Sequence, residues 1–209
     1  NQRLHTLPND KAEAIVWACD QILEHHRCMD QFPIDVYQGG AGTSTNMNVN
    51  EVVANLALEY LGEEKGRYDV INPNDDVNMS QSTNDAYPTG FRLGSHAAFQ
   101  ELIRHLSALE RAFESKGEEF RDIITMGRTQ LQDAVPVSLG DEFSAFARNL
   151  DEEQAQLSRA AAFMLEVNLG GTAIGTGVNA PAGYQHQVVA ALSEVTGLEI
   201  IGARDLLEA

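Results

Sequence analysis

The chain has 209 residues and carries 31 acidic against 14 basic side chains, a net charge of −17, which argues against nucleic acid or anionic membrane as a partner, because neither welcomes a strongly acidic surface. Its two cysteines, Cys19 and Cys28, lack CxxC spacing and read as buried thiols rather than a disulfide or metal pair. No apolar run approaches the roughly 20 residues of a spanning helix and no signal peptide opens the chain, so a reducing cytoplasm is the expected location.

Asn9 begins a helical pattern in which Ala14, Ile15, Ala18, Ile22 and Leu23 recur at helical spacing, and Phe32-Pro33 closes that region in a turn. A shorter helix is expected from Asn50 to Leu61, with Val52, Val53, Leu56, Ala57 and Tyr60 facing inward and Gly62 as its stop. Gly66 to Asp76 reads as loop. Two long helices follow. Phe99, Leu102, Leu106, Leu109, Phe113 and Phe120 mark the first, and Phe143, Phe146, Leu150, Leu157 and Met164 the second. Such stripes belong to bundles, and the aromatics in them are core rather than cofactor contacts. A third helix is expected over Gln185 to Thr196, ending at Gly197. Strand pattern is confined to short pieces such as Leu198 to Ile201. The expected class is all-α: an antiparallel bundle of long helices preceded by a smaller, mainly helical N-terminal part.

Three polar segments interrupt this pattern. In Pro73 to Asp85, amide and hydroxyl side chains without a cation lead into the first long helix, with Ser82, Thr83 and Asn84 at its start and Pro88 in an early position. A helix N-terminus offers free N–H groups and a positive dipole end, so the place suits an anion. The plain alternative is a Ser/Thr/Asn cap on an amphipathic helix. Gly39 to Glu51 is glycine-rich and also ends in a helix start, but lacks the Lys-Ser/Thr of a phosphate loop. Gly127 to Pro136 lies between the two long helices. Asp75, Asp85 and Asp133 are candidate general bases, with helix-cap or turn roles as the alternative. Arg128 could clamp a carboxylate or serve structure. The six histidines are scattered, without metal-ligand spacing.

Taken together, Gly42 to Glu51 (Gly-Thr-x-x-Asn-Met-Asn-x-Asn-Glu), Ser80 to Asp85 (Ser-Gln-Ser-x-Asn-Asp), Gly127 to Ala134 (Gly-Arg-Thr-x-Leu-Gln-Asp-Ala) and Asn168 to Gly177 closely resemble the aspartase/fumarase superfamily of lyases. The resemblance runs the length of the chain, with the blocks in order. The Gly-Ser-Ser-x-Met-Pro-x-Lys-x-Asn loop that carries the family's catalytic serine does not occur, nor does its extra N-terminal segment. An internal piece of a longer polypeptide is therefore expected. The resemblance implies residues 1–80 as part of an N-terminal lyase domain and 81–209 as the first part of a central helical bundle.

It also implies an anti-elimination in which a base removes a proton next to a carboxylate and the group on the neighbouring carbon leaves. Thr43, Ser82 and Thr83 match the positions that donate hydrogen bonds to that carboxylate. Asn84 and Thr129, with Gln130 beside them, match contacts to the rest of the substrate. No residue of this chain takes the base's role, and no cofactor or metal is implied. Fumarases usually have histidine where this chain has Gln130 and Asn72. The Gln-Leu-Gln-Asp-Ala-Val-Pro form is typical of the aspartate ammonia-lyase branch, whose substrates are L-aspartate and fumarate. Self-association is expected, as a homotetramer with active sites shared between subunits. The alternatives are a class II fumarate hydratase and a non-catalytic helical scaffold that serves assembly.

Overall fold

The structure, a computed structural model, describes residues 1–35, 37 and 40–208. It forms two compact units, Asn1–Arg92 with Glu166–Ala209, and Leu93–Leu165. Helices dominate, giving an all-α architecture with a few short strands. Among the described residues, no helix is long and apolar enough to cross a membrane.

The first unit is built on α1 (Asn9–Leu23) and α2 (Thr43–Tyr60). Ala14 and Ala18 of α1 meet Val53, Ala54, Leu56, Ala57 and Leu58 of α2, with Ile71 closing the cluster. Small residues on α1 let the two helices approach. Leu58 and Ile71 are wholly enclosed, and burying each contributes about 1.5–3 kcal/mol. Tyr60, expected inside, is exposed and sets its ring against Trp17, centroids 5.3 Å apart; Leu23, the last residue of α1, is exposed as well. Cys19 and Cys28 are free and only half-buried; burial pushes the Cys19 thiol up.

α2 begins seven residues earlier than the sequence suggests. Thr, Ser and Asn disfavour helix interiors because their side chains compete for backbone groups. Here those side chains have other partners: Asn46 and Asn50 both donate to Asn78, and Asn48 donates to the Gln31 carbonyl. The expected loop before residue 77 contains a single π-helical turn, Pro73–Val77. Asn72 caps it by accepting the N–H groups of Asn74 (2.8 Å) and Asp75 (3.0 Å), while Asp76 holds Lys11 at 2.8 Å. Later in the chain come β3 (Glu166–Val167), α5 (Tyr184–Thr196) and β4 (Ile201–Gly202), with β3 and β4 paired in parallel.

α3 (Thr83–Glu119) starts in the first unit and continues through the second, where α4 (Leu139–Phe163) runs antiparallel to it. His96 meets the carbonyl of Ala161 near one end of the pair, and Phe113 and Phe120 meet Phe143 and Phe146 near the other. Between them Gln154 bonds to Ser107 and donates to Glu110 at 2.7 Å. The segment joining these helices, read from the sequence only as a polar interruption, is a β-hairpin, β1 (Ile124–Thr129) and β2 (Gln132–Ser138). Its two-residue turn puts both Gln130 (φ 46°) and Leu131 (φ 65°) in the left-handed region, the pattern of a type I′ turn. Asn-Gly or Asp-Gly would have announced it; Gln-Leu does not.

Near the hairpin the two helices nearly touch. A Cβ on Gly140 would lie 2.4 Å from the Gly117 carbonyl oxygen and 2.7 Å from the Arg121 Cα, both backbone atoms. Gly140→Ala should therefore cost about 1–3 kcal/mol by overpacking. Gly94→Ala, where a Cβ meets nothing within 4 Å, should be neutral or stabilising by up to about 1 kcal/mol through helix propensity. Urea unfolding of the two variants side by side checks the contrast.

Candidate active site

The candidate residues of the first unit gather where α2 and α3 begin. Thr43 is the first residue of α2 and is exposed; its N–H donates to the Gly40 carbonyl at 3.0 Å. Gly39, at the head of the same sequence block, lies outside the described residues. Gly42 has φ 84°, and a Cβ there would stand 2.5 Å from the ring of Tyr87 on α3. Only glycine lets this turn lie on the tyrosine. Ala41, Thr83, Asn84, Tyr87, Pro88 and Phe91 line a concavity of ≈ 440 Å³. The loop before α2 and the first turns of α3 thus share one hollow, mostly apolar, with Thr83 and Asn84 as its polar edge.

Ser82 is the N-cap of α3. Its Oγ accepts the Asn84 N–H at 3.2 Å, and Asp85 Oδ1 accepts the Ser82 N–H at 2.9 Å, the second of these being the return half of a capping box. The capping role weighed from the sequence is thus present. Thr83 Oγ1 accepts from Asn46 Nδ2 at 3.1 Å. Each hydroxyl oxygen therefore receives an N–H, and a hydroxyl has one proton of its own still to donate. Two such donors at the positive end of a 37-residue helix form a place suited to a carboxylate.

Asn84 is held from two sides. Its Nδ2 donates to the Ala173 carbonyl at 2.6 Å, and its own carbonyl accepts from Asn168 Nδ2 at 3.1 Å. That carbonyl would ordinarily bond the N–H four residues later, but residue 88 is proline and has none. Pro88 lies inside the helix, and Asn168 takes the place of the missing donor. Behind these residues Tyr184 is 3 % exposed. Burial pushes its phenol up to about 12, opposed by a hydrogen bond with Gln81 and assisted by the charge of Asp85.

Thr129 and Gln130 belong to the second unit, where both are exposed at the tip of the hairpin. Arg128 pairs with Asp133 across the strands at 3.1 Å, so two candidates from the sequence engage each other. Asp85 is fully buried with both oxygens accepting backbone N–H groups, and Asp75 accepts from Asn74 in the π-helical turn. None of the three aspartates is placed as a general base. Sequence reasoning missed Asn46, which orients the Thr83 hydroxyl. It sits inside the quoted Gly42 to Glu51 block, where its helical phase with Asn50 was the available signal.

A family model described as Lyase matches residues 1–209, and the chain belongs to that family. Over its 209 residues it is 74% identical to an aspartate ammonia-lyase of Corynebacterium glutamicum, covering 100% of this chain and 40% of that protein. It superposes with a TM-score of 0.94 on a fumarate lyase:delta crystallin from Brucella melitensis solved bound to cobalt, at 54% identity over 100% of this chain and 45% of the other. A class II fumarase from Schistosoma mansoni superposes with a TM-score of 0.89, at 31% identity over 99% of this chain and 46% of the other. The chain thus spans less than half the length of these relatives.

Proposed function

We propose that the full-length protein is an aspartate ammonia-lyase, which reversibly eliminates ammonia from L-aspartate to give fumarate. The observation that carries this reading is the condition of the two hydroxyls at the start of α3. Ser82 and Thr83 each accept an N–H and keep a proton to give. Removing the proton from the carbon beside the substrate's carboxylate drives charge onto that carboxylate, forming a dianionic aci-carboxylate. Donors already oriented toward it lower the barrier without reorganising. Hydroxyls suit the task because they do so without changing their own charge. The carbon–nitrogen bond then breaks, its electron pair leaves with nitrogen, and the double bond of fumarate forms.

In this reading Thr43 supplies a further donor, Asn84 and Thr129 contact the remaining polar groups of the substrate, and Gln130 serves the leaving group. The proton is taken by a serine on a loop that these 209 residues do not contain. Apolar side chains left open within the second unit, Leu102 at 44%, Leu109 at 45% and Phe146 at 48% exposure, support self-association, since two helices alone cannot enclose such stripes. The resemblance makes the assembly a tetramer with shared sites. We assign residues 1–80 to an N-terminal lyase domain, residues 81–209 to the start of the central bundle, and the enzyme to the cytoplasm.

Gln130 separates this reading from a hydratase. Expelling water needs a proton delivered to a poor leaving oxygen, which a histidine relay can supply. An ammonium group brings its own proton, and glutamine can orient it by hydrogen bonding but cannot titrate near neutral pH. The full-length protein supplied with fumarate should make L-aspartate when ammonium is present and little or no malate without it. Rapid malate formation in the absence of ammonium would overturn the assignment in favour of fumarase.

A further inference from the structure

Asp85 is the only charged residue among the described ones that is fully buried, with 0% exposure. A buried charge is tolerated only when its oxygens are hydrogen-bonded, and here three backbone N–H groups provide for it. Oδ1 accepts from Ser82 at 2.9 Å; Oδ2 accepts from Gly170 at 3.1 Å and from Thr172 at 2.8 Å. One carboxylate therefore joins the donor turn at the start of α3 to a loop more than eighty residues further along the chain.

That loop reaches back to the same turn. Its Ala173 carbonyl holds the Asn84 amide, and its Asn168 holds the Asn84 carbonyl that Pro88 leaves without a partner. Thr172 sits at φ 57°, a conformation a β-branched residue adopts only when its surroundings impose it. The N–H of this strained residue is one of the three bound by Asp85. Ser82 is thus fixed through its backbone and Asn84 through both its amide and its carbonyl, with Thr83 between them.

We propose that Asp85 is a positioning residue for the elimination: together with the loop from Asn168 to Ala173 it sets the geometry of Ser82, Thr83 and Asn84 and touches no substrate itself. The inference rests on the reading of those three residues as substrate contacts. It gives the buried carboxylate a task that a cap alone does not need, since Ser82 already caps the helix through its hydroxyl.

The test uses the full-length protein with L-aspartate as substrate and four variants: Asp85→Asn, Asn168→Ala, Thr83→Ala and the Asp85→Asn/Thr83→Ala double. Asparagine keeps the shape of the side chain but turns an NH2 group toward N–H donors. Asp85→Asn should stay folded by circular dichroism and lose about 10²-fold in kcat, the scale of a misplaced contact, with a smaller change in KM. The double variant should lose far less than the product of the two single losses, because a displaced donor cannot be lost twice. A merely structural Asp85 would give multiplying losses, and that result, or a folded Asp85→Asn with unchanged kcat, would overturn the proposal. If Asp85→Asn fails to fold, Asn168→Ala decides: a roughly 10-fold lower kcat with the melt retained supports the proposal, and unchanged kcat refutes it. Full turnover by Thr83→Ala would remove the donor reading itself, whatever Asp85 does.

Discussion

Thr83→Ala in the full-length enzyme should lower kcat by roughly 10²–10³, the usual penalty for losing one preorganised donor to a developing anion. The stability cost should be small. The Thr83 oxygen accepts one bond from Asn46, and Asn46 keeps its second partner, Asn78, so about 0.5–1.5 kcal/mol is at stake. Ser82→Ala should lower kcat comparably but is the less clean experiment. Ser82 also caps α3 through the Asn84 N–H, and loss of a cap costs about 1 kcal/mol by itself. Steady-state kinetics and thermal melts on the same preparations separate the two contributions. A Thr83→Ala enzyme with nearly intact turnover and a lowered melting temperature would reduce the whole turn to a structural cap.

The 209-residue chain by itself should release no measurable fumarate from L-aspartate. Donors around a carboxylate stabilise charge that only a base can create, and the carboxylates of the quoted motifs are engaged elsewhere. Asp85 is enclosed by three N–H groups, Asp133 is paired with Arg128, and Asp75 accepts from Asn74. The serine assigned to proton removal stands in a loop absent from this sequence. Continuous absorbance at the fumarate band, with purified chain against a buffer blank, is a sufficient assay. Fumarate formed above the blank and abolished by Thr83→Ala would reveal a base within these residues and revise the mechanism.

The long helices, the start of α1 at Asn9 and the span of α5 were legible because their apolar residues recur at helical spacing and Gly197 marks a stop. The first turns of α2 were not. Local preference argues against a helix at Thr43 to Val49, and the partners that reverse it, Gln31, Asn78 and Thr83, come from other parts of the chain. The hairpin escaped for a different reason. No residue of its strands is fully buried, and its left-handed turn uses Gln130 and Leu131 instead of the residues that normally signal one. At the candidate site, Ser82, Thr83 and Asn84 could be named from their block. The burial of Asp85 could not, because Gly170 and Thr172 reach it only through the fold.

The Ser107–Gln154–Glu110 contact bears on how α3 and α4 find their alignment. Stripes of Leu and Phe at three- and four-residue intervals match almost as well after a slide of one helical turn, about 5.4 Å, so apolar contact alone defines the pair loosely. Gln154 is largely shut away from water, and its amide finds Ser107 and Glu110 together in only one alignment. A slide of one turn in either direction would take that amide away from both of these partners, a penalty the apolar side chains do not impose. The polar contact therefore works as a vernier on the helix hairpin: the hydrophobic stripe brings the two rods together, and one glutamine sets the notch at which they stop.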